Sequence, residues 1–237
     1  MSPPTLVLLP GLLCDAAVWR AQCAALGFAH WVVPSYGEAD SLTEMARRVL
    51  QDVPHNRLAL VGHSMGGRVA LEIARMAPGR VDRIALLNSG IDPIAEGAAG
   101  TQERDKRAAL LQMARQQGMR AMGKQWARGM VHEDVLDTPL FSEILDMIER
   151  STPTVFAAQI QALLNRPDAA TVLAGLRCPT LLACGRQDAW SPLERHERMH
   201  ALCPGSRLVV IEHSGHMTTM EQPEAVSLAL AEWMTQA

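Results

Sequence analysis

At 237 residues, the chain is long enough for one α/β domain with a modest insertion and can bury a sizeable core. A hydrophobic content of 48% and a charged content of 20% exclude intrinsic disorder. With 22 basic and 25 acidic residues, a formal charge of −3, there is no global field to attract nucleic acid or an anionic membrane.

Along the chain, short apolar runs alternate with amphipathic stretches. Strands are expected at 6–9, 30–33, 58–61, 84–87, 180–183 and 208–211, nearly continuous in apolar residues as strands buried on both faces require. Helices are expected at 16–26, 42–52, 66–76, 193–202 and 224–233. Strand followed by helix, repeated, means βαβ crossovers and a mostly parallel sheet. Pro192 and Pro223, each with a glutamate (Glu194, Glu224) close behind, mark first turns of helices. The apolar opening at 5–13 is broken by Pro10-Gly11, lacks a basic leader and is too short to span a bilayer. Cys14, Cys23, Cys178, Cys184 and Cys203 are scattered without a C-x-x-C pair, so free thiols and a cytoplasmic location are expected.

The alternation stops between residues 91 and 176, where helical periodicity dominates. A helical insertion is expected there, set into a core of 1–90 and 177–237. Residues 101–128 carry seven basic side chains, including Lys106, Arg107 and Arg120, whereas 129–149 carry six acidic ones and no Lys or Arg. Mutual neutralisation of the two halves is the favoured expectation, with a basic rim for an anionic substrate as its rival. The segment also holds Met113, Met119, Met122, Met130 and Met147. Helical core packing explains this stripe best, while Trp126 and Met130 are candidates for an adaptable apolar substrate pocket.

Gly62-His63-Ser64-Met65-Gly66-Gly67 joins a predicted strand to a predicted helix, the context that turns G-x-S-x-G into a nucleophile elbow. The tight turn needs small flanking residues and lifts the Ser64 hydroxyl above the sheet at a helix N-terminus. There the Met65 N–H faces a developing oxyanion. Serine needs a base to take its proton. Of eight histidines, His216 follows the last predicted strand and lies at the carboxyl edge shared with Ser64. His213, nearer the strand end, is expected to have a structural hydrogen bond, and His63 to project away from Ser64. Asp188, after the strand at 180–183, is the candidate acid behind His216, with Asp92 as the fallback. The chain order Ser64, Asp188, His216 is the one such elbows predict.

The chain resembles the α/β-hydrolase superfamily over nearly its whole length. The resemblance is carried by Leu9-Pro10-Gly11-Leu12 with Trp19, the elbow, Gly185-Arg186-Gln187-Asp188, and Gly215-His216 followed by Glu221-Gln222-Pro223. It implies a second oxyanion donor at the Leu12 N–H, with Pro10 where the family usually has histidine, and it makes the insertion a cap over the active site. Small esterases, carboxylesterases of cofactor synthesis and enol-lactonases are the most similar members. The expected activity is cleavage of a small-molecule ester or lactone through an acyl-enzyme, with no metal or organic cofactor. C–C bond hydrolysis, perhydrolysis and a ligand sensor signalling through the cap are the alternatives. His196-Glu197-Arg198-Met199-His200 fits the H-E-x-x-H zinc signature, with Glu221 as an imaginable third ligand. It is read here as a solvated helix between two strands. Cys14 near the pocket is read as filler.

Overall fold

The computed structural model describes residues 3–27 and 30–236. Six strands, β1 (Thr5–Leu9), β2 (Trp31–Val32), β3 (Leu58–His63), β4 (Val81–Leu87), β5 (Thr180–Gly185) and β6 (Arg207–Ile211), pair in the order β2-β1-β3-β4-β5-β6. Every pairing is parallel. This is the α/β-hydrolase fold, an open sheet with helices on both faces. β1, β3 and β5 are buried along their full length, as their unbroken apolar runs require. β2 is shorter than expected because Pro34 closely follows it, and proline cannot donate to a strand ladder.

Around the sheet lie α1 (Arg20–Leu26), α2 (Leu42–Asp52) and α3 (Met65–Met76). The stretch at 16–26 is divided: Asp15 accepts the Ala17 N–H and starts a 3-10 turn at Ala16–Trp19 before α1 begins. Between β4 and β5 the chain forms α4 (Gly97–Gln117), α5 (Met119–Trp126), α6 (Pro139–Glu149), α7 (Pro153–Leu164) and α8 (Ala170–Ala174), with no strand among the described residues of that stretch. After β5 come α9 (Leu193–Leu202), α10 (Thr218–Glu221) and α11 (Pro223–Thr235). α1 packs on α11 at one face of the sheet; α2, α3, α8 and α9 form a continuous layer at the other.

The sheet order creates the site. From β1 the chain moves outward to β2, then returns across β1 to β3 and continues the other way to β4. The strand order therefore reverses between β1 and β3, and their carboxyl ends border a crevice where ligands of open α/β sheets bind. Leu12 follows β1 and Ser64 follows β3, so both stand at this crevice.

Candidate active site

Ser64 lies between β3 and α3 with φ +54° and ψ −115°. A non-glycine residue is seldom found there, and the strain is held by the surrounding packing. Gly66 makes that packing possible: a Cβ at Gly66 would overlap the Leu9 carbonyl of β1. The N-terminus of α3 can thus press against the neighbouring strand. The Ser64 N–H donates to the Leu87 carbonyl at 2.8 Å, and the Ser89 hydroxyl donates to the Ser64 carbonyl at 2.8 Å.

The structure brings Ser64, His216 and Asp188 together. Ser64 Oγ lies 2.8 Å from His216 Nε2, and His216 Nδ1 lies 2.8 Å from Asp188 Oδ2. The carboxylate accepts at Nδ1–H, which leaves Nε2 unprotonated and able to accept from the Ser64 hydroxyl. Asp188 Oδ1 accepts the Trp190 and Ser191 N–H groups at 2.8 and 2.9 Å, and Oδ2 also accepts from Asn88 Nδ2 at 2.9 Å. Burial opposes its charge, but the facing His216 and these hydrogen bonds outweigh burial and hold the carboxyl well below the usual carboxylate range. Asp188 is therefore a fixed anion behind the imidazole.

Leu12 and Met65 both line the cleft at Ser64. Among the described residues neither backbone N–H has a protein acceptor, and Met65 is the first residue of α3, whose N–H has no partner within the helix. The loop after β1 is secured by its neighbours: the Leu13 N–H donates to Gln159 of α7 at 2.9 Å, and the Tyr36 hydroxyl donates to the Pro10 carbonyl at 3.2 Å. Cys14 is inert by environment, since burial and then Asp15 push its thiol up to about 12.

Two residues whose roles the sequence reading missed hold the array. Asn88, with φ +50°, donates to the Gly215 carbonyl at 3.2 Å as well as to Asp188, and accepts from the Thr218 hydroxyl. Glu221 accepts the N–H groups of Gly215, Met217 and His132, while the His216 N–H donates to the Met130 carbonyl. The His216 loop is thereby bound to residues 130–132. Glu221 appears in the sequence as part of a motif, but nothing local marks it as a clamp for backbone groups.

The remaining candidates lie elsewhere. The exposed His213 packs its ring at 6.1 Å against His132, and its structural hydrogen bond comes through the backbone, the His213 carbonyl accepting from Gln222 Nε2 at 3.0 Å. Its backbone, at φ +52°, turns the chain before His216. Asp92 sits on the surface with Arg198 at 2.8 Å, remote from His216. His63 lines the cleft; its Nε2–H donates to the His216 carbonyl at 2.8 Å. The two H-E-x-x-H histidines have separate bonds: His196 accepts the Ser89 N–H at 3.2 Å, and His200 Nδ1 lies 2.9 Å from Ser206 Oγ. Among the described residues no group of three His, Cys, Asp or Glu side chains is placed to hold a metal ion.

The cleft holds about 510 Å³, within the range of small-molecule sites. Trp126, Met130, Phe156 and Trp190 form part of its lining. Trp126 packs at 5.1 Å against Trp190 with the rings tilted by 37°, and the Trp190 ring lies 5.3 Å from that of His216.

With this geometry, residues 6–229 match the Alpha/beta hydrolase family, and the chain belongs to that family. It is 30% identical to a pimeloyl-[acyl-carrier protein] methyl ester esterase of Photobacterium profundum, over 92% of this chain and 90% of the relative. A thermophilic esterase from Thermogutta terrifontis superposes with a TM-score of 0.85 at 27% identity, covering 98% of this chain and 90% of that one. An enol-lactonase from Burkholderia xenovorans shares the fold, with a TM-score of 0.83 at 19% identity over 100% of this chain and 93% of that one.

Proposed function

We propose that the protein is a serine hydrolase that cleaves a small-molecule carboxylic ester or lactone through an acyl-enzyme on Ser64. The observation carrying this reading is the continuous line Ser64 Oγ, His216 Nε2, His216 Nδ1, Asp188 Oδ2, with both links at 2.8 Å, at the crevice where the strand order reverses. The esterase names of the Photobacterium and Thermogutta proteins support it.

In this mechanism Ser64 Oγ attacks the carbonyl carbon while His216 Nε2 takes its proton. The Leu12 and Met65 amides receive the oxyanion, and Asp188 stabilises the imidazolium. The tetrahedral intermediate collapses as His216 returns the proton to the leaving alcohol. Water, deprotonated by the same imidazole, then attacks the acyl-enzyme, releases the acid and restores Ser64. Residues 91–176 act as a cap on a core of 1–90 and 177–237, and Trp126 and Met130 form part of the acyl pocket.

The test is a panel of esters, lactones and β-diketones turned over by the wild type and by Ser64→Ala. Ser64→Ala should lower kcat at least 10³-fold with an unchanged melting curve, and a fluorophosphonate should label Ser64 alone. His216→Ala should match that loss, whereas His213→Ala should keep an appreciable rate. Full activity in Ser64→Ala overturns the assignment.

A further inference from the structure

On a chain of net charge −3, the cleft wall carries five cations, Arg68, Lys106, Arg107, Arg166 and Arg195, and one carboxylate, Glu103. That carboxylate is already used. Arg166 holds both its oxygens, at 2.7 and 2.8 Å, and Arg107 approaches it to 2.9 Å. Among the described residues Arg68 is left without an ion-pair partner, and Arg195 has only a long contact to a carboxylate that Arg198 already holds. Arg68 Nη1 donates to the Asp92 backbone carbonyl at 3.0 Å, and among the described residues no carboxylate lies within ion-pair distance of it. Arg195 Nη1 donates to the Trp190 carbonyl at 3.1 Å and the Ser191 hydroxyl at 3.4 Å. Its Nε comes no nearer than 4.0 Å to an Asp92 oxygen that Arg198 holds at 2.8 Å.

These two guanidinium groups converge. A methyl group placed on Gly90 would lie 3.2 Å from Arg68 Nη2 and 3.3 Å from Arg195 Nη1. Gly90 is itself part of the cleft wall, so both groups flank one point inside it. Like charges drawn together in a partly desolvated wall are costly without an opposite charge. The cost is visible at Arg68, which burial, then Arg166 and Arg195, push down to about 9. Arg68 also follows Ser64 by four residues, one turn of α3, or about 6 Å along the helix axis. An anion between Arg68 and Arg195 would therefore be a short spacer away from a carbonyl at Ser64.

We infer that Arg68 and Arg195 form an anion subsite within the ester cleft, and that the substrate is an ester carrying an acid group, of the type of a dicarboxylic acid monoester. The inference rests on Ser64 being the nucleophile of that cleft. Guanidinium groups match a carboxylate through paired N–H donors, and the apolar side near Trp126 and Phe156 accepts the uncharged remainder. A purely structural role for the two arginines, Arg68 bracing the Asp92 carbonyl and Arg195 the Trp190 carbonyl, gives no preference for charged substrate.

The test compares kcat/KM for monomethyl glutarate with that for methyl pentanoate, in which a methyl group replaces the carboxylate. The wild type should favour the acid ester, and the preference should shrink as salt rises. Arg68→Gln and Arg195→Gln should each reduce the ratio of the two values roughly tenfold to a hundredfold, mainly through KM for the acid ester, and Arg195→Lys should restore part of it. A phosphonate analogue of equal length, assayed alongside, shows whether the site favours a carboxylate or a phosphate-like dianion. Equal handling of the charged and neutral esters by the wild type, or a ratio unchanged in Arg195→Gln, overturns the inference; should Arg68→Gln fail to fold, Arg195→Gln decides. If neither ester is cleaved, the hydrolase reading is judged by the wider panel with Ser64→Ala, and calorimetric titration of glutarate into the wild type judges the subsite alone. Salt-sensitive binding weakened in Arg195→Gln sustains it, and absence of binding refutes it.

Discussion

Asn88 shows how much a site can depend on a residue outside the Ser64, His216 and Asp188 array. Its amide spans three partners: Asp188, the Gly215 carbonyl and the Thr218 hydroxyl. Asparagine also tolerates the left-handed backbone at φ +50° better than most residues. Asn88→Ala leaves the buried Asp188 oxygen short of a donor and the Thr218 hydroxyl without its acceptor. We expect kcat to fall about tenfold and stability by about 1–3 kcal/mol, read from ester kinetics and urea unfolding. Wild-type kinetics in this variant would show that Asp188 is held sufficiently by the Trp190 and Ser191 amides.

At the scale of elements, the elbow depends on close approach of backbones. Gly66 brings α3 against β1, and Gly185 lets the 214–215 backbone cross β5. A Cβ at either position meets backbone carbonyl atoms, which cannot rotate away as a side chain can. Gly66→Ala should cost about 3 kcal/mol or more and displace Ser64, so that residual folded protein has little activity; a melting temperature equal to wild type would refute this. The basic and acidic halves of the helical segment do meet, where Arg120 of α5 pairs with Asp146 and Glu149 of α6. Lys106 and Arg107 instead face the cleft. Neutralisation thus describes α5 and α6, and the cationic wall draws from α3, α4, α9 and the segment after α7 together.

Over the whole molecule, burial of neutral histidines sets the response to acid. Burial, followed by the positive charge of a protonated His216, moves His63 from an ordinary 6.5 down to about 4. His196 is also moved to about 4, again chiefly by burial. Both are neutral in the fold, and unfolding lets each take up a proton between pH 6.5 and 4. The unfolded chain binds more protons across that window, so stability falls as pH drops through it, by roughly 3 kcal/mol for each histidine. The urea midpoint should decline from pH 7 to pH 4, with a shallower decline in His196→Gln, and go on declining below pH 4, where Asp188 and Glu103 are held more acidic in the fold than in the unfolded chain. A midpoint independent of pH would refute the assignment. No helix among the described residues is long and apolar enough to cross a membrane.

Much of the fold was legible because its signals are local. An apolar run bounded by glycine or proline reads as a buried strand in any context, and Gly62, Gly66 and Gly67 around Ser64 record the sterics of one tight turn. Chain order also suggested Asp188 and His216, since each follows a strand at the carboxyl edge. The sequence already preferred His216 to His213, and the tertiary structure exposes His213 and buries His216 against Asp188. The roles of Asn88, 100 residues from Asp188, and of Glu221 as a clamp on residue 132 are invisible along the chain. So is the meeting of Arg68 with Arg195. Strand and turn preferences act between near neighbours and are written in the sequence; hydrogen bonds and charge pairing depend on distances that exist only once β1, β3, β4 and β5 lie side by side.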